Sequence, residues 1–397
     1  MHGFAQRHTV AAVLAWLDAQ FYVLDAEEVP LRGAAARVLA ASVVSEVDVP
    51  GFDRATMDGY ALVADSTEGA SAYNRIPLAI IGDSMPGCPF DGAVSAGRAV
   101  RVMTGAPLPL GADAVLPAEW VDGDCAVAAV SPGKHVGRRG EDILRGTTVL
   151  DAGRVLRPQD LGALSAIGRS SVSVVRRPRV LLVVTGNELL PAGSRPRDFQ
   201  IPDANGPMLS ALVERDGGLV DFPGLVRDEP DAIREALHAD ADIVVVSGGS
   251  SVGIEDLAPM IVAQSGELAV HGIAMRPSSP TGLGRIGHRL IFLLPGNPVS
   301  CLCAYDFFAG RAIRALGGRP HVWPYRAVRG RLNRKIASPI GRLDYARVKF
   351  TDGAVEPIAI SGASILSSTT RADGFVIVGD DSEGFAAGSE VEVWLYG

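Results

Sequence analysis

Cysteine is scarce, positive charge is in deficit, and no long uncharged apolar run occurs. Each shortage excludes something. The 397 residues include only four cysteines, Cys88, Cys125, Cys301 and Cys303. Their spacing matches neither a zinc-ligand pattern nor a CxxC pair. Cys301 and Cys303 lie in an apolar, helix-like stretch, where free thiols are expected as core residues. This usage fits a reducing, cytoplasmic compartment. Lys and Arg number 37 against 45 Asp and Glu, a net charge of −8. That argues against broad nucleic-acid binding, and an anionic ligand would need a site that is locally basic or rich in N–H donors. No run approaches the roughly 18 uncharged apolar residues that span a bilayer, so no membrane segment is expected. Arg7, Asp18 and Asp25 surround the first helical pattern, which is unlike a signal peptide. No repeat or low-complexity tract is present.

A hydrophobic content of 47% with 21% charge is that of a soluble globular chain. At roughly 100–200 residues per domain, the length allows several domains. Val10, Val13, Leu14 and Leu17 recur at helical spacing, and an Ala-rich stretch over 34–45 predicts a second helix. From 49 to about 145 the chain is punctuated by Gly and Pro, with short apolar runs at 77–81, 99–103, 114–117 and 125–130. This texture predicts a small β-rich module. A strand over 147–150 and a helix over 161–168, opened by Pro158 and Asp160, follow it. The segments on either side of the module could therefore pack together, making the module an insertion.

After Arg176-Arg177-Pro178-Arg179 the rhythm alternates. Strands are expected at 180–184, 219–225, 243–246 and 290–294, and helices at 207–215, 231–239, 256–264 and 298–316. Alternation of this kind predicts a parallel sheet covered on both faces. Ligands of such sheets bind beyond the carboxyl ends of the strands. Unusual loops occur at those ends: Thr185-Gly186-Asn187-Glu188, Arg227-Asp228-Glu229, Ser247-Gly248-Gly249-Ser250-Ser251 and Pro295-Gly296-Asn297-Pro298. Beyond 321 the chain turns β-rich again, with strands expected at 328–332, 345–350, 354–358, 375–378 and 391–395.

The Ser247–Ser251 loop leaves backbone N–H groups uncovered before a helix whose positive end would face the ligand. Asp256 follows in that helix. The combination suits a phosphate-bearing ligand beside a cation, and a plain Gly-rich turn is the bland alternative. Glu188, Asp228 and Asp256 each stand just past a strand end, and carboxylates gathered at one rim repel unless a cation neutralises them. Magnesium suits such a rim, since it takes one or two carboxylates plus phosphate oxygens and water. Taken singly, each could be a solvated loop residue, and Asp228 could cap the helix that follows. In Pro295–Pro298, Asn297 could cap a helix begun by Pro298, or Gly296 could admit a ligand close to the backbone. The run Arg138–Asp142 reads on its own as a solvated charge cluster.

Met57-Asp58-Gly59-Tyr60-Ala61, Met103-Thr104-Gly105-Ala106-Pro107, Arg139-Gly140-Glu141-Asp142, Thr185-Gly186-Asn187-Glu188-Leu189, the Ser247–Gly253 run and Leu294-Pro295-Gly296-Asn297-Pro298-Val299-Ser300 occur in this order. In this the chain resembles the molybdopterin molybdenumtransferase (MoeA) family, which is similar to the E domain of gephyrin. The resemblance covers nearly the whole chain. It implies a multidomain α/β fold. A central parallel α/β three-layer domain lies at 176–320, and a β-rich domain at 46–145 is inserted in an elongated helix-and-strand domain of 1–45 and 146–175. A β-barrel-like domain follows at 321–397. It also implies a homodimer whose active cleft is formed by the α/β domain of one subunit and the β domain of the other.

The implied activity is the last step of molybdenum-cofactor synthesis. Adenylylated molybdopterin and molybdate react with Mg2+ present, molybdenum enters the dithiolene, and AMP leaves. The molybdopterin adenylyltransferase is a candidate partner. The resemblance implies catalytic roles for Asp58, Thr104, Asp142, Glu188, Asp228 and Asp256. Glu188, Asp228 and Asp256 would hold the metal. Ser247, Gly248, Gly249, Ser250, Ser251, Arg276, Pro295, Gly296, Asn297, Pro298 and Ser368 would bind substrate.

The chain departs from the family's lysine-rich run, which here reads Met275-Arg276-Pro277-Ser278-Ser279-Pro280. Arg276 keeps a charge as a fork, Ser279 loses one, and His271 stands where another lysine is usual. Asn187 replaces a usual Asp. The Arg276–Pro280 departure motivates an alternative, a non-catalytic paralogue that holds molybdopterin or finished cofactor without turnover; insertion of tungstate is a separate alternative.

Overall fold

The computed structural model describes residues 7–248, 257–359 and 362–396. The chain divides into two compact units, one of residues 1–27, 36–38 and 175–397, the other of 28–35 and 39–174.

In the first unit the strands Leu219–Asp221, Arg179–Thr185, Ile243–Ser247, Arg289–Leu294, Gly282–Ile286 and Glu267–His271 lie in that order in one sheet. The strands from Leu219–Asp221 to Arg289–Leu294 are parallel neighbours, with Val180 opposite Ile243 and Ile243 opposite Leu290. The continuous apolar runs are explained by burial on both faces. Leu181, Val183, Val244, Val246, Ile291 and Leu293 pack with Ile233 and Leu237 of the helix Pro230–Leu237 and with Ile261 and Val262 of Leu257–Ser265. On the opposite face, Val180 meets Val213 and Ile313 around Gly218. These belong to the helix Asn205–Arg215 and to the long helix that runs from Pro298 to Leu316 through a π turn at Tyr305–Ala309.

The sheet is mixed, which corrects the all-parallel expectation: Gly282–Ile286 and Glu267–His271 join antiparallel. The strand expected at 219–225 is split into Leu219–Asp221 and Leu225–Val226, both pairing with Arg179–Thr185. The helix expected from 256 is described from Leu257, and Asp256 lies outside the described residues.

The chain then forms a barrel-like sheet. Leu343–Thr351, Ala354–Ala359, Arg326–Leu332, Glu390–Leu395 and Gly374–Val378 pair in sequence, and Gly374–Val378 pairs back onto Leu343–Thr351. Closure removes the free edges. Alternating residues such as Ala346, Val348, Val376, Val378, Val391 and Val393 fill the interior.

In the second unit, Val43–Val44 pairs with Thr148–Leu150, and Leu39 bridges Val174. Leu39, Leu150, Leu156, Leu164 and Val174 share one core. Thus the segments flanking the β module pack on each other. The helix expected over 34–45 does not form. A short turn of 3-10 helix, Leu31–Gly33, gives way to Ala36 at φ 61° and then to extended chain. Alanine favours helix in isolation, but pairing and burial of Leu39 and Val43 override that preference. The module's sheet runs Ala79–Ser84, Arg98–Val102, Gly59–Leu62, Ala114–Pro117. Leu62, Ala99 and Leu116 fill one face; Ala61, Val100 and Val115 fill the other. The strand expected at 125–130 is limited to Cys125–Ala126.

Candidate functional site

The carboxyl ends of three parallel strands meet in the first unit. Ser247 stands opposite both Val184 and Leu294 in register, so the chain beyond each strand leaves the sheet at one level. Gly248 has φ +103°, and a Cβ there would lie 2.1 Å from the Thr185 carbonyl oxygen. Only glycine fits both the conformation and the contact. Gly296 is different. Among the described residues a Cβ built on it would meet only Gly248 Cα, at an ordinary 3.6 Å, so no packing need among them explains the glycine.

Asn205, the first residue of the helix Asn205–Arg215, ties these turns together. Its Nδ2 donates to Ser247 Oγ at 2.8 Å and to the Gly296 carbonyl at 2.7 Å. Since a carbonyl can only accept, the orientation of this amide is fixed chemically. The backbone N–H groups of Asn205 and Gly206 both donate to Asp203 Oδ1 at 2.9 Å. Ser247 Oγ also lies 3.6 Å from Cys301 Sγ. Cys301 and Cys303 are fully buried, as their apolar setting predicts. Burial pushes the Cys301 thiol up to about 12, so it is a neutral core group.

Three polar atoms along this edge are buried without a partner among the described residues: Thr185 Oγ1, Asn205 Oδ1 and Asp228 Oδ1. Buried polar atoms are ordinarily paired, so three orphans at neighbouring strand ends stand out. Asp228 follows Val226, which pairs with Thr185. Glu188 follows Thr185 on the neighbouring strand, and its carboxylate folds back against Gly186, where a Cβ would lie 2.8 Å from Oε2. Glu188 and Asp228 thus leave adjacent strand ends. The cap expected of Asp228 is not formed: Glu229 occupies the N-cap of Pro230–Leu237, with no side-chain bond. Asp256, Gly249, Ser250 and Ser251 lie outside the described residues. Among the described residues, no group of three or more His, Cys, Asp or Glu could hold a metal.

Pro295 is buried, Gly296 and Asn297 are exposed, and Pro298 is half-buried. Asn297 occupies the N-cap, but its side chain makes no capping bond, so the structural role expected of it is absent. The Val299 N–H donates to the Ala363 carbonyl at 3.0 Å, bringing the segment of Ser368 to this helix start. Ser368 is itself buried, with its hydroxyl donating to the Ile365 carbonyl at 2.6 Å. Arg276 bonds Asp344 through Nε at 3.1 Å and through Nη2. Arg342 Nε and Ser338 Oγ also donate to that fully buried carboxylate, at 3.2 and 2.8 Å.

Within the second unit, Asp58 and Thr104 meet. Thr104 donates to Asp58 Oδ1 through its backbone N–H at 2.7 Å and its hydroxyl at 2.8 Å. These bonds hold the Asp58 carboxyl below its ordinary range. Arg54 pairs with Gly137 in a short ladder and bridges Pro107. The segments that lead into Asp58, out of Thr104 and toward Asp142 are thereby paired with one another. Asp142 is exposed. The charge run is solvent-exposed as expected, and its arginines are paired: Arg139 bonds Asp48 and Arg138 bonds Asp53, each at 2.7 Å.

The sequence placed Thr185 in a strand-end loop without giving it a role, and did not single out Asp203 or Asn205. Asp203-Ala204-Asn205-Gly206 before a helical pattern is the kind of signal that marks a helix start; the helix expected from 207 begins at Asn205.

Residues 8–168 match the MoeA N-terminal region (domain I and II), 181–315 a probable molybdopterin binding domain, and 329–396 the MoeA C-terminal region (domain IV). The chain is 35% identical over 382 residues to molybdopterin molybdenumtransferase 2 of Mycobacterium tuberculosis, covering 92% of this chain and 94% of that one. It is 31% identical over 385 residues to the molybdopterin molybdenumtransferase of Staphylococcus aureus, covering 94% and 91%. The crystal structure of the molybdopterin biosynthesis MoeA protein of Pyrococcus horikoshii superposes with a TM-score of 0.84 at 33% identity, covering 99% of this chain and all of the other. Fold and site therefore define a multidomain α/β transferase with a role in molybdenum-cofactor biosynthesis. The chain belongs to the molybdopterin molybdenumtransferase family. No helix among the described residues is long and apolar enough to cross a membrane.

Proposed function

We propose that this chain inserts molybdenum from molybdate into adenylylated molybdopterin and releases AMP. The observation that carries the reading is the cradle at the strand ends, where Gly248 turns tightly against the Thr185 carbonyl, Gly296 bares its backbone, and buried polar atoms with no partner among the described residues line the edge. Cleaving an adenylate needs charge neutralisation and positioning more than covalent help. Asn205 holds the Ser247 and Pro295–Pro298 turns at fixed spacing, which positions the substrate. The helix begun by Pro298 points its positive end at the same edge. Glu188 and Asp228, with Asp256, are the residues that would hold Mg2+. The buried, unpartnered Asp228 Oδ1 and the all-oxygen donor set fit that ion. When bound, it would neutralise charge on the phosphate. Asp58, kept ionised by Thr104, and Asp142 complete the proposed catalytic set, and the protein acts as a cytoplasmic homodimer.

Purified protein given adenylylated molybdopterin, Mg2+ and molybdate should release AMP and yield active cofactor. Absence of AMP with molybdate and with tungstate alike would overturn the proposal, and competition between the oxyanions reads out preference. The pairing of Arg276 with Asp344 favours a second reading, a molybdopterin-binding paralogue. That protein would bind molybdopterin tightly without releasing AMP. Sedimentation at working concentration tests the dimer.

A further inference from the structure

We infer that Asn205 is a binding residue that reads an N–H donor on the pterin ring, and that this corner of the cradle takes the ring and not the phosphate. The inference rests on the reading above and adds which end of the substrate lies here. Both hydrogens of the Asn205 amide nitrogen are committed, one to Ser247 Oγ and one to the Gly296 carbonyl. Its Oδ1 is left buried with no partner among the described residues, on a residue only 6% exposed. That oxygen can only accept. Thr185 Oγ1 can act either way.

A phosphate brings only acceptor oxygens and negative charge, and would leave Asn205 Oδ1 as unsatisfied as before. The amino-pyrimidinone edge of a pterin brings an exocyclic amine and a ring N–H, and either satisfies it. A site built to pair a ligand donor rejects an analogue that lacks it, because its own buried acceptor is then stranded. Asn205 thereby has two tasks. Its nitrogen spaces the two turns, and its oxygen selects the ligand.

The test separates these tasks. Binding of 6-hydroxymethylpterin, its 2-desamino analogue and its N3-methyl analogue is measured by calorimetry on the full chain and on Asn205→Ala. On the native chain, at least one analogue should bind about tenfold more weakly than the parent pterin. On Asn205→Ala that preference should vanish while the circular dichroism spectrum is retained. Should Asn205→Ala not fold, Asn205→Ser keeps a small donor toward the Gly296 carbonyl and is expected to lose the same preference. A purely spacing role would weaken all the pterins equally, so a preference that persists in the variant overturns the inference while leaving the pterin site standing. Failure of the native chain to bind any of the pterins, with AMP still bound, overturns the pterin reading itself and the inference with it.

Discussion

At the residue scale, two glycines at one edge have opposite reasons to be glycine, and substitution separates them. Gly248→Ala forces a Cβ onto the Thr185 carbonyl at a left-handed φ, and should lower stability in urea by about 2 kcal/mol or more. Gly296→Ala meets only an ordinary contact. It should leave stability within about 0.5 kcal/mol yet impair AMP release, because the methyl projects into ligand space. Equal stability losses in both would contradict this division. Asp58 gives a second prediction. Thr104→Val keeps the backbone N–H but removes the hydroxyl bond to Asp58. The Asp58 carboxyl should therefore titrate higher than in the native chain, moving back toward the ordinary carboxylate range, as read by carbon NMR; an unmoved titration would show that the hydroxyl contributes nothing. Such residue-level detail was only partly legible in the sequence. Asp58 and Thr104 were named through the family's motifs, yet their mutual bond could not be read from positions so far apart. Asn205 was missed because an Asn at a helix start is ordinarily a cap, and only the fold turns it toward Gly296.

At the scale of elements, the long helix from Pro298 to Leu316 shows what a sequence pattern conceals. The apolar spacing predicted one helix, and the structure keeps it while inserting a π turn at Tyr305–Ala309. That turn carries the fully buried Asp306. Its Oδ1 accepts from the Tyr325 hydroxyl at 2.8 Å and from Arg215 at 3.3 Å, and its Oδ2 has no partner among the described residues. Burial first, opposed by Arg215 and Tyr325 and reinforced by Asp216, raises its pKa to about 6. The raised value means that the protonated carboxyl is the form the fold favours. Its stabilising contribution is complete below the unfolded value near 3.8 and is lost as pH rises through about 6. Relative to Asp306→Asn, the native chain should lose on the order of 2–3 kcal/mol of stability between pH 4 and 7 in urea titrations. A flat difference would refute the assignment. Strands were legible where β-branched residues ran unbroken, as at 243–246. Gly282–Ile286 was not, because Gly282 and Gly284 break the pattern. Gly284 is required there, since a Cβ would lie 2.2 Å from the Glu267 carbonyl of the paired strand, a contact that only the fold creates. The false helix over 34–45 has the inverse cause, local alanine content overruled by distant pairing.

At the scale of the whole molecule, the two compact units have separate cores, and each is anchored by its own buried carboxylate. In the second unit Asp160 is 4% exposed and accepts from Arg154 at 2.9 and 3.0 Å and from Arg157 at 3.1 and 3.2 Å. The two guanidiniums hold its carboxyl well below the usual range. A depressed pKa gives stability that is present above the unfolded value and lost as pH falls through the folded one, the reverse of Asp306. Chains with more than one domain commonly depart from two-state unfolding. Calorimetry at neutral pH should therefore resolve more than one transition. Asp160→Asn should lower the midpoint of one, because two arginines lose their shared carboxylate. Asp306→Asn should shift a different one, and the double variant should show both shifts, since lesions with no common partner add. A single transition displaced by both substitutions would mean that the units unfold as one body, and the separate cores would then have no thermodynamic independence.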